Sequence, residues 1–249
     1  MKYGICPLSI VPLRFEAADT SELVSQVLYG EIFKVLEERK KWSRIRLALD
    51  NYEGWIDNKQ FDFVSEEDYK ELNSKTPQLS SELVDFVADS ENGLISICYG
   101  SNVHNSNFLK HTFEGNFISE KLPKSQIIET ALHYLNSPYL WGGKTPFGID
   151  CSGFTQMVYL LNGHQLLRDA SLQASQGESL SFIEESEPGD LAFFDNAEGA
   201  ITHVGIIMED HHIIHAHGKV RIDRLDHSGI FNEILGRHTH KLRVIKRII

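Results

Sequence analysis

The pattern of apolar residues changes near residue 122, and this change restricts the chain to few architectures. Before it, short alternating runs such as residues 31–38 and 43–49 are separated by polar turns and predict β-strands. After it, apolar residues at helical spacing over 124–137 and 150–163 precede a series of short alternating segments. Helices followed by antiparallel strands are typical of an α+β domain, so we expect this fold class for the second half.

The first half of the chain predicts two small β-barrels. A Tyr-Gly pair followed by Glu-Gly and an apolar run occurs over residues 29–56 and again, in shorter form, over residues 99–118. Residues 65–77, between the two copies, predict a short helix and a linker. We therefore predict three domains: a first barrel at 1–62, a linker with a short second barrel at 63–122, and the α+β domain at 123–249.

Composition excludes several classes of protein. With 24 basic against 35 acidic residues the net charge is −11, which disfavours binding to nucleic acid. Three cysteines form neither a disulfide framework nor a zinc site with paired cysteines, and no cofactor is expected. No apolar run is long enough to span a bilayer, and the N-terminus lacks the features of a secretory signal. We expect a cytoplasmic monomer, although an exported chain trimmed of its leader would look the same.

Cys151 lies at the start of the second predicted helix, directly after a glycine-rich loop. A helix N-terminus carries unpaired N–H groups and a partial positive charge, which can lower the pKa of a thiol and bind an oxyanion. The adjoining Asp-Cys-Ser-Gly sequence is polar, which argues against simple core packing of this cysteine. Cys6 and Cys98 lie in apolar runs, and we expect both to be core residues.

Eight of the twelve histidines follow residue 200, and their spacing supplies a base for the cysteine. A hairpin of residues 202–208 with 211–218 places His203, His215 and His217 on one face, with His215 diagonal to His203. One imidazole can then orient the other. Zinc binding by the histidines at 212, 215 and 217 is the competing use. Because side chains at 212 and 215 point to opposite faces, we predict no metal site.

Four ordered motifs, at residues 138–154, 187–194, 202–206 and 213–218, resemble the NlpC-type, papain-like cysteine peptidases of bacterial cell-wall metabolism. The first half resembles the tandem bacterial SH3-like domains that precede such enzymes. This layout is similar to the γ-D-glutamyl-L-diamino acid endopeptidases, which recycle murein peptides. The resemblance implies a papain-like catalytic domain behind two SH3-like barrels, and a murein peptide containing diaminopimelate or lysine as the substrate.

The resemblance also implies roles for individual residues. Cys151 is the expected nucleophile, His203 the general base and later acid, and His215 the residue that orients His203. The expected oxyanion and substrate-binding residues are Tyr139, Trp141, Asp150, Ser152, Asp169, Glu53 and Tyr99. Asp169, which follows Arg168, is expected to receive the free amino group of an N-terminal L-Ala, although a role as a helix N-cap would also explain it.

Three rival functions use the same features. A non-catalytic murein-binding protein would bind fragments without turnover, which the complete cysteine and histidine set argues against. A cysteine acyltransferase would share the thioester chemistry and differ only in the acceptor. An exported enzyme would cut the intact wall rather than free peptides.

Overall fold

The computed structural model describes every residue of the chain, 1–249, and divides into two compact units. The N-terminal unit comprises Met1–Glu120 and Trp141–Pro146, and the C-terminal unit comprises Lys121–Leu140 and Phe147–Ile249. In neither unit is there a helix with the length and apolar character needed to cross a membrane.

The N-terminal unit begins with a seven-stranded antiparallel sheet. Its strands are β1 (Lys2–Ile5), β2 (Ile10–Arg14), β3 (Leu23–Leu28), β4 (Ile32–Glu38), β5 (Trp42–Leu47), β6 (Glu53–Asp57) and β7 (Asp62–Val64). They lie in the order β3-β2-β6-β5-β4-β1-β7. Alternate side chains, among them Phe33, Ile45 and Ile56, are fully buried in one apolar cluster. The alternation seen in the sequence therefore forms the inner face of this sheet.

The rest of the N-terminal unit contains short elements. These are α1 (Glu66–Ser74), β8 (Leu79–Ser80), β9 (Val84–Ala88), β10 (Leu94–Cys98), a 3₁₀ turn at Val103–Asn105, β11 (Phe117–Ile118) and β12 (Lys144–Thr145). β9 pairs with β10 and β8 pairs with β11, which gives two separate two-stranded sheets.

The second barrel predicted for residues 63–122 is therefore not confirmed. Between β10 and β11 the Asn-rich and His-rich stretch forms turns, where the Asn102 side chain accepts a hydrogen bond from the N–H of His104. Side chains of this type satisfy backbone groups locally and compete with strand pairing. The predicted helix within residues 65–77 is present as α1, with Ser65 as its N-cap.

The C-terminal unit combines three helices with a closed sheet. Its helices are α2 (Gln126–Leu132), α3 (Cys151–Leu161) and α4 (Ala170–Gln173), with a 3₁₀ turn at Ile183–Glu185. Its strands are β13 (Gly148–Ile149), β14 (Glu178–Leu180), β15 (Leu191–Asp195), β16 (Ile201–Ile207), β17 (His212–His217), β18 (Lys219–Asp226), β19 (Gly229–Asn232) and β20 (Arg237–Arg247). Because β20 pairs with both β15 and β19, strands β15 to β20 close into a six-stranded barrel. The mixture of helices and antiparallel strands agrees with the predicted α+β class.

The interior of this barrel positions the histidines. Phe194 and Ile213 lie in its buried apolar cluster. His203 pairs directly with Phe194, and His215 is two residues from Ile213 on the same strand, so both imidazoles face the interior. Helix α3 packs against β16, the strand that carries His203.

Candidate active site

Cys151 is the first residue of α3, and Asp150 is the N-cap of that helix. The Asp150 carboxylate accepts a hydrogen bond of 2.7 Å from the N–H of Gly153, which satisfies one of the unpaired groups at the helix start. The thiol is buried, and its Sγ lies 4.0 Å from the carbonyl oxygen of Thr202, the residue before His203. The start of α3 thus places the thiol beside the strand that carries His203.

Arg168 holds the start of this helix in place. Its guanidinium is 1% exposed and binds both carboxylate oxygens of Asp150, at 3.0 and 2.7 Å. It also donates to Ser152 Oγ at 3.0 Å. A bidentate pair of this kind fixes the orientation as well as the charge of both partners. Arg168, which the sequence suggested only as the neighbour of Asp169, therefore organises the residues on both sides of Cys151.

A chain of buried polar groups leads away from His203. His203 Nε2 and His215 Nδ1 are 2.8 Å apart, and His215 Nε2 is 3.0 Å from Asp223 Oδ2. Arg221 donates to Asp223 Oδ1 at 2.7 Å. The structure therefore brings His203 and His215 together as the sequence predicts, and it adds a carboxylate and an arginine that the sequence reasoning missed.

The hairpin that creates this arrangement has the predicted register. Gly205 pairs with His215, and the turn between β16 and β17 contains Asp210 and His211 with φ angles of 53° and 58°. Two successive positive φ angles are typical of a type I′ turn, whose twist matches that of the flanking strands. His211 is therefore a turn residue, as expected, and takes no part in the histidine cluster.

Burial decides the protonation of the cysteine and the histidines. It raises the pKa of the Cys151 thiol to about 12, and the charge of Asp150 adds to this effect. It lowers the pKa of His203 well below the ordinary value, with smaller effects from neighbouring histidines, and it also lowers the pKa of His215. The lowered thiol pKa expected at a helix N-terminus is thus reversed, because desolvation outweighs the helix dipole. Burial therefore favours the neutral thiol of Cys151 and the neutral imidazoles of His203 and His215.

Two further histidines, His240 and His217, belong to the cluster around His203. The ring of His240, on β20, stacks on the ring of His203 with centroids 4.2 Å apart, and His217 lies 4.8 Å from His240. Burial lowers the pKa of His240 to about 4, so it adds a neutral ring to the cluster. The position of Asp223 could have been predicted from the sequence, because the alternation of residues 219–226 predicts a strand next to β17. For His240 there was no local signal.

Gly205 leaves room for His215 inside the barrel. A Cβ at this position would lie 2.8 Å from Ile213 Cδ1 and 2.9 Å from His215 Cβ. We expect Gly205→Ala to lower the free energy of unfolding by about 1–3 kcal/mol through overpacking, and to lower kcat about tenfold by displacing His215. Urea unfolding and steady-state kinetics measure the two effects. Ile206→Val, on the opposite face of β16, is the control and should change stability alone; equal kcat values for Gly205→Ala and the parent would contradict this prediction.

Of the other predicted residues, Tyr139 and Ser152 lie near the thiol. Burial raises the pKa of the Tyr139 hydroxyl, and the neighbouring Cys151 and Asp150 groups raise it further, so the phenol keeps its proton. Ser152 is buried and bound by Arg168. Trp141 is 60% exposed and donates from Nε1 to Glu22 Oε1 at 2.6 Å within the N-terminal unit. Tyr139 is thus available as a hydrogen-bond donor.

The remaining predicted residues have different surroundings. Asp169 is the N-cap of α4, but its side chain makes no capping hydrogen bond, so capping does not account for it. Glu53, on β6, binds Arg44 and Arg46, and the Arg46 hydrogen bond is the main cause that lowers its pKa. Tyr99 is buried and directly follows β10. No group of three or more His, Cys, Asp or Glu side chains is arranged to hold a metal ion.

Comparisons with known proteins agree with this architecture. Residues 136–239 match the model of the NlpC/P60 family, and residues 13–61 match the bacterial dipeptidyl-peptidase Sh3 domain. The chain is 29% identical to the γ-D-glutamyl-L-lysine dipeptidyl-peptidase of Bacillus subtilis, over 77% of this chain and 71% of that protein. It is 27% identical to dipeptidyl-peptidase 6 of Lysinibacillus sphaericus, over 83% and 85%. The structure of an NlpC/P60 family protein from Bacillus cereus has the same fold, with a TM-score of 0.76 at 19% identity over 99% of both chains.

Proposed function

We propose that this chain, a cysteine peptidase with an NlpC/P60 domain behind a bacterial SH3 domain, hydrolyses the bond between γ-D-glutamate and a diamino acid in murein peptides. The observation that carries the proposal is the position of Cys151 at the start of α3, beside the strand of His203, with His203 bonded to His215. The name of the Bacillus subtilis relative supports the γ-D-glutamyl bond and lysine as the diamino acid.

In the proposed reaction His203 takes the proton of the Cys151 thiol as the sulfur attacks the γ-D-Glu carbonyl carbon. The C–S bond forms, and the carbonyl electrons move to oxygen. Backbone N–H groups at the start of α3 and the Tyr139 hydroxyl stabilise this oxyanion. His203 then protonates the departing amine as the C–N bond breaks and a thioester remains. Water, deprotonated by His203, hydrolyses the thioester and restores the thiol.

We further propose that Asp169 binds the free amino group of an N-terminal L-Ala, and that Glu53 and Tyr99 are further substrate-binding residues. A carboxylate withdrawn from solvent favours a cationic amine and is left desolvated when the amine is acylated. Trp141 and Ser152 are proposed to contact the peptide, and Asp150 to hold the start of α3. This preference for free peptides fits a cytoplasmic monomer acting in recycling rather than on polymeric wall.

The test compares L-Ala-γ-D-Glu-L-Lys, its diaminopimelate counterpart, the N-acetylated forms of both, and intact sacculi, with products identified by mass spectrometry. We expect cleavage of the free peptides at the γ-D-Glu bond. For the acetylated forms we expect kcat/KM to be lower by a factor of about 10² or more. Equal cleavage of free and acetylated peptides would remove the roles of Asp169, Glu53 and Tyr99. Activity on sacculi alone would overturn the recycling proposal.

Two variants locate the amine-binding site. Asp169→Asn should raise KM for the free peptide, because the charge that favours the amine is lost. The difference in kcat/KM between free and acetylated peptides should therefore become smaller. Glu198→Gln removes an exposed carboxylate of the same unit. It should change neither KM for the free peptide nor the difference in kcat/KM between free and acetylated peptides. Added amines separate hydrolysis from acyl transfer, since an acyltransferase would form γ-D-glutamyl amides in place of the free acid.

A further inference from the structure

Asp223 lies inside the C-terminal barrel next to His215. It is on β18, where its neighbour Arg221 stands directly opposite His215 and Asp223 itself is the diagonal partner. Asp223 is 6% exposed, and each carboxylate oxygen has an arginine contact: Arg221 donates at 2.7 Å to Oδ1 and lies at 2.7 Å from Oδ2. Asn232, at the end of β19, lies at 3.5 Å from Oδ1.

The charge of this carboxylate fixes where hydrogens lie along the chain to His203. An ionised carboxylate only accepts hydrogen bonds, so the hydrogen in its contact with His215 must be on His215 Nε2. A neutral imidazole has one N–H, which makes His215 Nδ1 an acceptor. The hydrogen in the 2.8 Å contact between the two imidazoles must then be on His203 Nε2. The Nδ1 atom of His203 is left with its lone pair.

The surroundings of Asp223, His215 and His203 favour an ionised carboxylate and two neutral imidazoles. Burial alone would raise the pKa of Asp223, but the hydrogen bonds from His215 and Arg221 outweigh it and lower the pKa. Burial keeps both histidines neutral. If Asp223 were absent, His215 could carry its hydrogen on Nδ1 and donate it to His203, which would place the hydrogen of His203 on Nδ1 and block it as a base.

We propose that Asp223, held by Arg221, is a positioning residue that sets the tautomers of His215 and His203 and so leaves His203 Nδ1 as the proton acceptor for Cys151. The inference rests on the cysteine-peptidase chemistry proposed above. The series of polar contacts extends beyond His215, since the histidine that orients His203 is itself oriented by Asp223 and its ion pair with Arg221. Asp223 touches neither the thiol nor the peptide in this arrangement.

The direct test is ¹⁵N NMR of the histidine side chains in the full-length protein at neutral pH. We expect the resonances of His203 and His215 to show neutral rings with the hydrogen on Nε2 in both. Assignment uses His203→Gln and His215→Gln, which each remove one set of signals. A wild-type protein in which His203 carries its hydrogen on Nδ1 would overturn the proposal without any variant at Asp223.

Substitution at Asp223 tests the consequence for catalysis. In Asp223→Asn the amide can either donate a hydrogen bond to His215 or accept one from it, so we expect mixed tautomers at both histidines. We also expect kcat to fall about 10²- to 10⁴-fold with little change in KM. Asp223→Glu should restore the Nε2 tautomers and part of kcat. Asp226→Asn, an exposed carboxylate on the same strand that binds His238, is the matched control and should leave tautomers and kcat unchanged.

The possible outcomes separate this inference from the proposed function. Unchanged tautomers in Asp223→Asn, with kcat within threefold of the parent, would overturn the positioning role. If the wild-type tautomers are as expected but no murein peptide is cleaved, the substrate proposal fails and the tautomer inference stands. If Asp223→Asn does not fold, the wild-type spectrum still decides where the hydrogens lie.

Discussion

Cys151→Ala is expected to reduce the hydrolysis of L-Ala-γ-D-Glu-L-Lys by about 10⁴-fold or more, because the bond-forming sulfur is lost and no other group near the start of α3 replaces it. Product formation followed by mass spectrometry measures the loss. Alanine removes only a buried thiol, so the fold should persist, and circular dichroism with thermal unfolding checks this. Trapping of the acyl group on the parent protein would show the thioester directly.

Cys98→Ala is the matched control for this experiment. Cys98 is also buried, and burial raises the pKa of its thiol to about 11, so its environment resembles that of Cys151 in desolvation. It lies at the end of β10 in the N-terminal unit, whereas His203 and His215 belong to the C-terminal unit. We expect Cys98→Ala to retain the parental rate. A Cys151→Ala protein that cleaves the peptide at the parental rate would remove Cys151 from the mechanism.

The second large effect is on stability. Arg168→Met leaves the buried carboxylate of Asp150 without the guanidinium that binds both of its oxygens. Breaking a buried ion pair from one side typically costs about 3–5 kcal/mol, since the remaining charge stays desolvated. We expect a loss of this size in the free energy of unfolding measured with urea. Activity should fall as well, because Asp150 caps the helix that begins with Cys151.

Two comparisons show whether the loss comes from the unpaired charge. Arg168→Lys keeps the positive charge but loses the planar fork, so its stability should fall between those of the parent and Arg168→Met. The double variant Arg168→Met/Asp150→Asn removes both charges and should recover part of the lost stability. If the free energy of unfolding of Arg168→Met lies within about 1 kcal/mol of the parental value, the ion pair does not stabilise the helix start in the way described.

Much of the candidate site could be predicted because it depends on local periodicity. The alternation of residues along β16 and β17 fixes which side chains share a face, so the contact of His203 with His215 follows from the hairpin register. The start of α3 at Cys151 follows from the polar N-cap and the apolar helical spacing behind it. The predicted second barrel is not confirmed, because it rested on a faint repeat and the residues of the second copy form only separate two-stranded sheets.

By itself, the sequence determined the mixed helical and strand character of the second half, the position of Cys151 at a helix start and the contact between His203 and His215. The tertiary structure alone decided the protonation of these groups and their supporting contacts. His240 reaches His203 because β20 pairs with β15 and β19 and closes the barrel, a long-range pairing that no local pattern encodes. Desolvation of Cys151 likewise depends on everything that packs around it, which is why its pKa moves opposite to the expectation from the helix alone.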